Sequence, residues 1–168
     1  DQPGSGDALR LRNMTARYDT EHWASKVVDY LETRADVDPS RIGCEGVSLG
    51  GYYCPRAVAF EPRFAMGVCW GANHDWRDVQ KRRKAAEGNL PVPHYWSHVR
   101  WVFGAETDEE FMKMAENMHL DGILDRIRVP FLVTHGKEDS QIPLKWARAT
   151  YDGLINSPKR ALKIFDER

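Results

Sequence analysis

The sequence predicts an α/β fold, a mostly parallel sheet with flanking helices. Three observations carry that expectation: four short apolar runs, helical patterns between them, and a serine set among glycines where the first run passes into a helix. The runs are 41–47 (RIGCEGV), 64–70 (FAMGVCW), 129–134 (VPFLVT) and 161–165 (ALKIF). Their apolar character is nearly continuous, as in strands whose two faces are both covered by helices. Alternation of strand and helix then implies right-handed crossovers between parallel neighbours.

Taken in order, the first residues, DQPGSGDA, read as a loop. Residues 20–34 (TEHWASKVVDYLETR) read as a helix with Thr20 as N-cap and Trp23, Val27, Tyr30 and Leu31 on one face. The strand 41–47 leads through GVSLG into a helix over 49–60, and 64–70 is the second strand. From 76 to 125 the chain is longer than a connecting loop. It carries charge (RDVQKRRKAAEG), Pro91 and Pro93, and the aromatics Tyr95, Trp96, Trp101 and Phe103, so it reads as a helical cap inserted between core segments 1–75 and 126–168. Within it 107–118 is helical, with Thr107 and Glu110 in capping-box spacing, and KRRK reads as a solvated helix face. After the strand 129–134 comes HGKEDSQIP, with Pro143 at the first turn of a helix over 143–155. The last strand, 161–165, follows.

A chain of 168 residues with 42% hydrophobic content is one domain or a piece of one. The 24 basic residues balance 25 acidic ones, which gives nucleic acid or an anionic membrane nothing to hold. The expected partner is a small-molecule substrate. The three cysteines, Cys44, Cys54 and Cys69, are odd in number and fit a reducing cytoplasm. No apolar stretch approaches a membrane span, and DQPGSGDALRLR lacks a signal core. A loop-like start and a last strand that stops at Asp166-Glu167-Arg168 predict that the chain is a fragment.

Gly46-Val47-Ser48-Leu49-Gly50 fits G-x-S-x-G, the turn that lifts a nucleophilic serine out of a strand-to-helix junction. Small neighbours are expected because side chains two positions away would collide across the turn. The Leu49 N–H, at the start of a helix, would be one oxyanion donor. A serine needs a base and a carboxylate that orients it. Asp139, in the loop after 129–134, lies at the same sheet edge and is the candidate acid, with Glu138 a weaker substitute. No histidine occupies the position expected after the last strand. His135 braces the strand-to-loop junction, and His94 with His98 lacks a third ligand, so no metal is assigned. No phosphate-cradling glycine motif is present, and no cofactor follows.

The segments DPSRIGCEGVSLGGYYCPRAVAFEPRFAMGVCWGANHDW and VPFLVTHGKEDSQIP together resemble the α/β-hydrolases. Within them the likeness is to the carbon–carbon-cleaving group that includes 2,6-dihydroxypseudooxynicotine hydrolase and the fungal hydrolases that shorten polyketide chains in pigment synthesis. Related esterases and prolyl-oligopeptidase-like peptidases share the G-x-S-x-G-G-Y turn. The resemblance implies a partial α/β-hydrolase fold, with Ser48 as nucleophile and Asp139 as acid. It places the histidine beyond Arg168 and the second oxyanion donor upstream of Asp1, and it suggests a homodimer. It further implies that Ser48, or a water it positions, adds to a ketone, and that the leaving carbon departs as an enolate or electron-rich ring. Asn73, His74 and Trp76, in WGANHDW, would line the leaving-group side. An aromatic-rich cap favours an aromatic or polyketide substrate. Ester or peptide hydrolysis is the alternative within the class, and a non-catalytic ligand-binding α/β domain is the alternative outside it.

Overall fold

A computed structural model describes residues 1–86 and 92–166. Pro91, Glu167 and Arg168 lie outside them. The chain divides into two compact units, a sheet unit made of 20–75 and 119–168 and a helical unit made of 1–19 and 76–118.

In the sheet unit, α2 (Glu21–Glu32), β1 (Gly43–Val47), α3 (Gly50–Phe60), β2 (Met66–Trp70), β3 (Phe131–Gly136), α7 (Leu144–Gly153) and β4 (Arg160–Phe165) follow in chain order, numbered together with α1 and α4–α6 of the other unit. The sheet is fully parallel with order β1-β2-β3-β4, and Cys44 pairs with Gly67, Cys69 with Val133 and Val133 with Leu162. Because the order advances in one direction, right-handed crossovers put α3 and α7 on the same face. Under them lie Cys69, Phe131, Val133 and His135, all buried. The alternate residues Val47, Met66, Trp70 and Phe165 are exposed. Among the described residues, then, one face is covered and the other is open.

Helix α2 packs on α3 through Ala24 and Val28, which are buried, whereas Val27 is 48% and Tyr30 58% exposed. The expected apolar face is therefore rotated. Of the expected face, Trp23 meets the edge of the Tyr53 ring of α3, 6.3 Å away, while Val27 and Tyr30 are left exposed. Thr20 does not cap the helix. Its backbone is already helical, and its hydroxyl donates to the carbonyl of Tyr53 in α3 at 3.2 Å. Arg56 clamps the same helix pair through a bidentate bond to Glu21 at 2.7 Å.

In the helical unit, α1 (Gly6–Arg12) forms where a loop was expected. It is joined by α4 (Trp76–Ala85), α5 (Tyr95–Phe103) and α6 (Asp108–Ala115). Trp76 stacks on Phe103 at 5.4 Å and meets the edge of Phe111 at 5.6 Å, making an aromatic core. Thr107 caps α6 by accepting from Glu110 N–H at 3.1 Å. The reciprocal bond differs from a capping box, since the Glu110 carboxylate accepts from Glu106 N–H. The KRRK run is only partly a solvated face: Arg83 lies over the Tyr95 ring, 4.1 Å away, and Lys84 pairs with Asp108 at 2.9 Å.

Candidate active site

Ser48 follows the last residue of β1 and precedes α3, with φ at +58°, a left-handed conformation that costs a non-glycine residue about 1–2 kcal/mol. The turn is held by the Ser48 N–H, which donates to Trp70 O at 2.9 Å, and by the Ser48 carbonyl, which accepts from Gly51 N–H at 2.8 Å. The residue stays exposed at the sheet edge. A Cβ on Gly46 would collide with the carbonyl of Gly50, and one on Gly51 with the carbonyl of Gly71. At Gly50 it would meet nothing. The steric demand thus falls on the first glycine of the motif and on the one just after it, not on Gly50.

Pro55 leads to a contact whose partner lies far along the sequence. A proline in a helix cannot donate to the carbonyl four residues back, here Gly51. That carbonyl instead accepts from Asn73 N–H at 3.4 Å, so the segment after β2 is tied to the start of α3. Leu49 is the N-cap of α3, where amides have no ladder partner, and its carbonyl is the first of the helix to accept, from Tyr52 and Tyr53 N–H.

Asp139 follows β3, two strands along from β1, and parallel strands place it at the same edge as Ser48. One carboxylate oxygen, Oδ1, accepts from Gln141 N–H at 2.8 Å and Ile142 N–H at 2.9 Å. This turn geometry fixes the side chain. The other oxygen, Oδ2, lies 3.9 Å from the fully buried His135 Nε2, which itself donates to Ile142 O at 2.9 Å. His135 therefore braces the loop that carries Asp139. Trp70, the Gly136–Ser140 loop, Phe165 and Asp166 line an open concavity of about 590 Å³, which places Asp139 on its wall.

The remaining sequence candidates sit deeper. Asn73 is 2% exposed, and its Oδ1 has no hydrogen-bond partner among the described residues. His74, 7% exposed, stacks on Trp146 at 5.7 Å. Its Nε2 lies 3.1 Å from Asp121 Oδ1, and its Nδ1 lies 3.4 Å from Thr150 Oγ1. Burial pushes the His74 imidazole below its ordinary pKa, against the opposing pull of Asp121. Trp76 belongs to the aromatic core of the helical unit. Pro55, Asp121, Thr150 and Gly71 were missed from sequence. Only Pro55 carried a signal, a proline inside a helical run.

A parallel sheet whose strand-to-helix turn holds an exposed serine at positive φ defines the α/β-hydrolase class. The chain belongs to the prolyl oligopeptidase family, whose model matches residues 19–166. It is similar to hydrolase LUC6 of Fusarium sp, 30% identical over 92% of this chain and 44% of that protein. It is also similar to 2,6-dihydropseudooxynicotine hydrolase of Paenarthrobacter nicotinovorans, 28% identical over 87% of this chain and 37% of that protein. The crystal structure of 2,6-dihydroxy-pseudo-oxynicotine hydrolase matches with a TM-score of 0.82 at 27% identity, covering 99% of this chain and 44% of that one. The chain spans less than half the length of these relatives.

Among the described residues no helix is long and apolar enough to cross a membrane.

Proposed function

We propose that the protein to which this chain belongs is a serine hydrolase acting on a small carbonyl compound, with Ser48 as nucleophile. The observation that carries this reading is the left-handed, exposed Ser48, since a non-glycine residue held in that conformation costs stability and such strain clusters at reactive sites. Asp139, with one oxygen spent on backbone amides, keeps the other to orient a histidine supplied from outside these residues. Leu49 N–H supplies one oxyanion donor at the head of α3. Of the three residues after β2, Asn73 retains a carbonyl oxygen to offer a ligand, whereas both His74 ring nitrogens have protein neighbours.

Hydrolysis of a carbon–carbon bond beside a carbonyl, in a β-diketone-like or aromatic ketone substrate, is the favoured reaction, in line with the relative named as 2,6-dihydropseudooxynicotine hydrolase. Ser48, or water it activates, adds to the ketone. The tetrahedral oxyanion collapses, and the leaving carbon departs as a stabilised enolate or ring carbanion that takes up a proton. Where Ser48 itself has added, water then cleaves the acyl-enzyme ester, releasing the acid and restoring the hydroxyl. Peptide hydrolysis is a second reading, favoured by the family model itself. The test is to assay the full-length protein on β-diketones, aryl esters and aminoacyl arylamides, with Ser48→Ala as control. Turnover of the diketone that is lost in the variant is expected. Arylamide turnover alone selects the peptidase, and diketone turnover undiminished in Ser48→Ala removes Ser48 from the chemistry.

A further inference from the structure

The three cysteines have no place in this hydrolytic scheme, yet two of them flank the Ser48 turn. Cys44 lies on β1, half-buried, and Cys54 on α3, buried. They are ten positions apart, and the Cys54 thiol points back across the turn to within 3.3 Å of the Cys44 carbonyl. The close approach has a steric origin. Gly46 lacks a Cβ, and one there would press on the Cys54 Cβ, so β1 and α3 pack at a distance that only a glycine permits. The Cys54 side chain draws the Cys44 thiol below its ordinary pKa, while the Cys44 neighbour and burial push Cys54 up. Cys69, fully buried on β2, is pushed up by burial and is the least ionised candidate. One thiol is therefore the better nucleophile, and its neighbour across the turn is a protonated thiol.

We propose that Cys44 and Cys54 form an oxidisable pair, a modification site that closes a disulfide around the Ser48 turn when the protein meets a peroxide. The Cys44 thiolate attacks one peroxide oxygen, breaks the O–O bond and becomes a sulfenic acid, and hydroxide leaves. The Cys54 sulfur then attacks the sulfenic sulfur. An S–S bond forms, the S–O bond breaks, and the Cys54 proton leaves with the oxygen as water. The two thiols have lost two electrons, and the peroxide has gained them. The disulfide bridges strand to helix with Ser48 inside the loop, and a dithiol reductant reverses it.

Trypsin separates the outcomes, because Cys44 and Cys54 share the segment 42–56 between Arg41 and Arg56, whereas Cys69 lies in 64–77. Full-length protein is treated with hydrogen peroxide, unfolded under alkylating conditions, digested and weighed. The expected result is a peptide 42–56 lighter by two hydrogen atoms and carrying no alkyl group, restored to its doubly alkylated form by dithiothreitol, while 64–77 is alkylated throughout. In Cys54→Ser the light peptide disappears, and Cys44 is trapped by a sulfenic-acid reagent. Cys69→Ser leaves the light peptide in place, so the result does not hang on one variant's folding. A cross-link between 42–56 and 64–77, or peptide 42–56 doubly alkylated after peroxide, overturns the proposal. This readout is independent of turnover and stands apart from the hydrolase reading.

Discussion

The two turns that hold Ser48 and Asp139 stand at one edge of the same sheet but are held by different physics. Around Ser48 two backbone hydrogen bonds are joined by a steric restraint: a positive φ, a glycine before it whose replacement would strike Gly50, and a glycine after it whose replacement would strike Gly71. Around Asp139 the restraint is polar, since two backbone amides grip one oxygen and a buried histidine braces the loop from behind. The difference teaches that position is enforced at the serine by what cannot fit and at the aspartate by what must be hydrogen-bonded. The first depends on volume and the second on charge.

Short of removing the nucleophile itself, the largest expected effect lies at the polar turn. In the full-length protein Asp139→Asn should lower kcat by about ten-thousandfold, because an amide holds the base in the wrong tautomer, with melting temperature little changed. Steady-state kinetics beside a thermal melt decides it, and a near-wild-type rate would move the acid to Glu138. The steric turn gives the next effect. Gly51→Ala should destabilise by about 3 kcal/mol, whereas Gly50→Ala, with open space around it, should be neutral or stabilise by up to about 1 kcal/mol. Equal losses in urea melts would show that the turn is not sterically set. Ser48→Gly, which relieves the left-handed conformation, should stabilise by about 1 kcal/mol while abolishing turnover.

The smallest effect lies away from both turns. Bonds from Arg63 hold the Glu61 carboxyl at about 2, below its unfolded value, so that pairing contributes stability above the ordinary carboxylate range and loses it as pH falls toward 2. Glu61→Gln should flatten the fall in melting temperature over that acid range, and an unchanged slope would assign the fall to other carboxylates.

Strand positions and the Ser48 turn were legible because their causes are local. Apolar runs bounded by turns mark strands within two residues of 43–47, 66–70, 131–136 and 160–165, and glycine at 46 is demanded by its immediate surroundings. What escaped depends on partners distant in sequence. The buried face of α2 is set by its packing on α3, Thr20 abandons capping for the Tyr53 carbonyl, and Pro55 matters only because Asn73 takes the bond it forgoes. The stacking of His74 on Trp146 and its approach to Asp121 likewise join segments far apart in the chain. Side-chain periodicity in one segment carries no trace of them.

The most direct test of the nucleophile is covalent. Full-length protein exposed to a fluorophosphonate and digested with trypsin should carry one phosphonyl group on peptide 42–56, at Ser48, and Ser48→Ala should carry none. A catalytically active protein that leaves that peptide unlabelled while another serine takes the reagent would contradict the account.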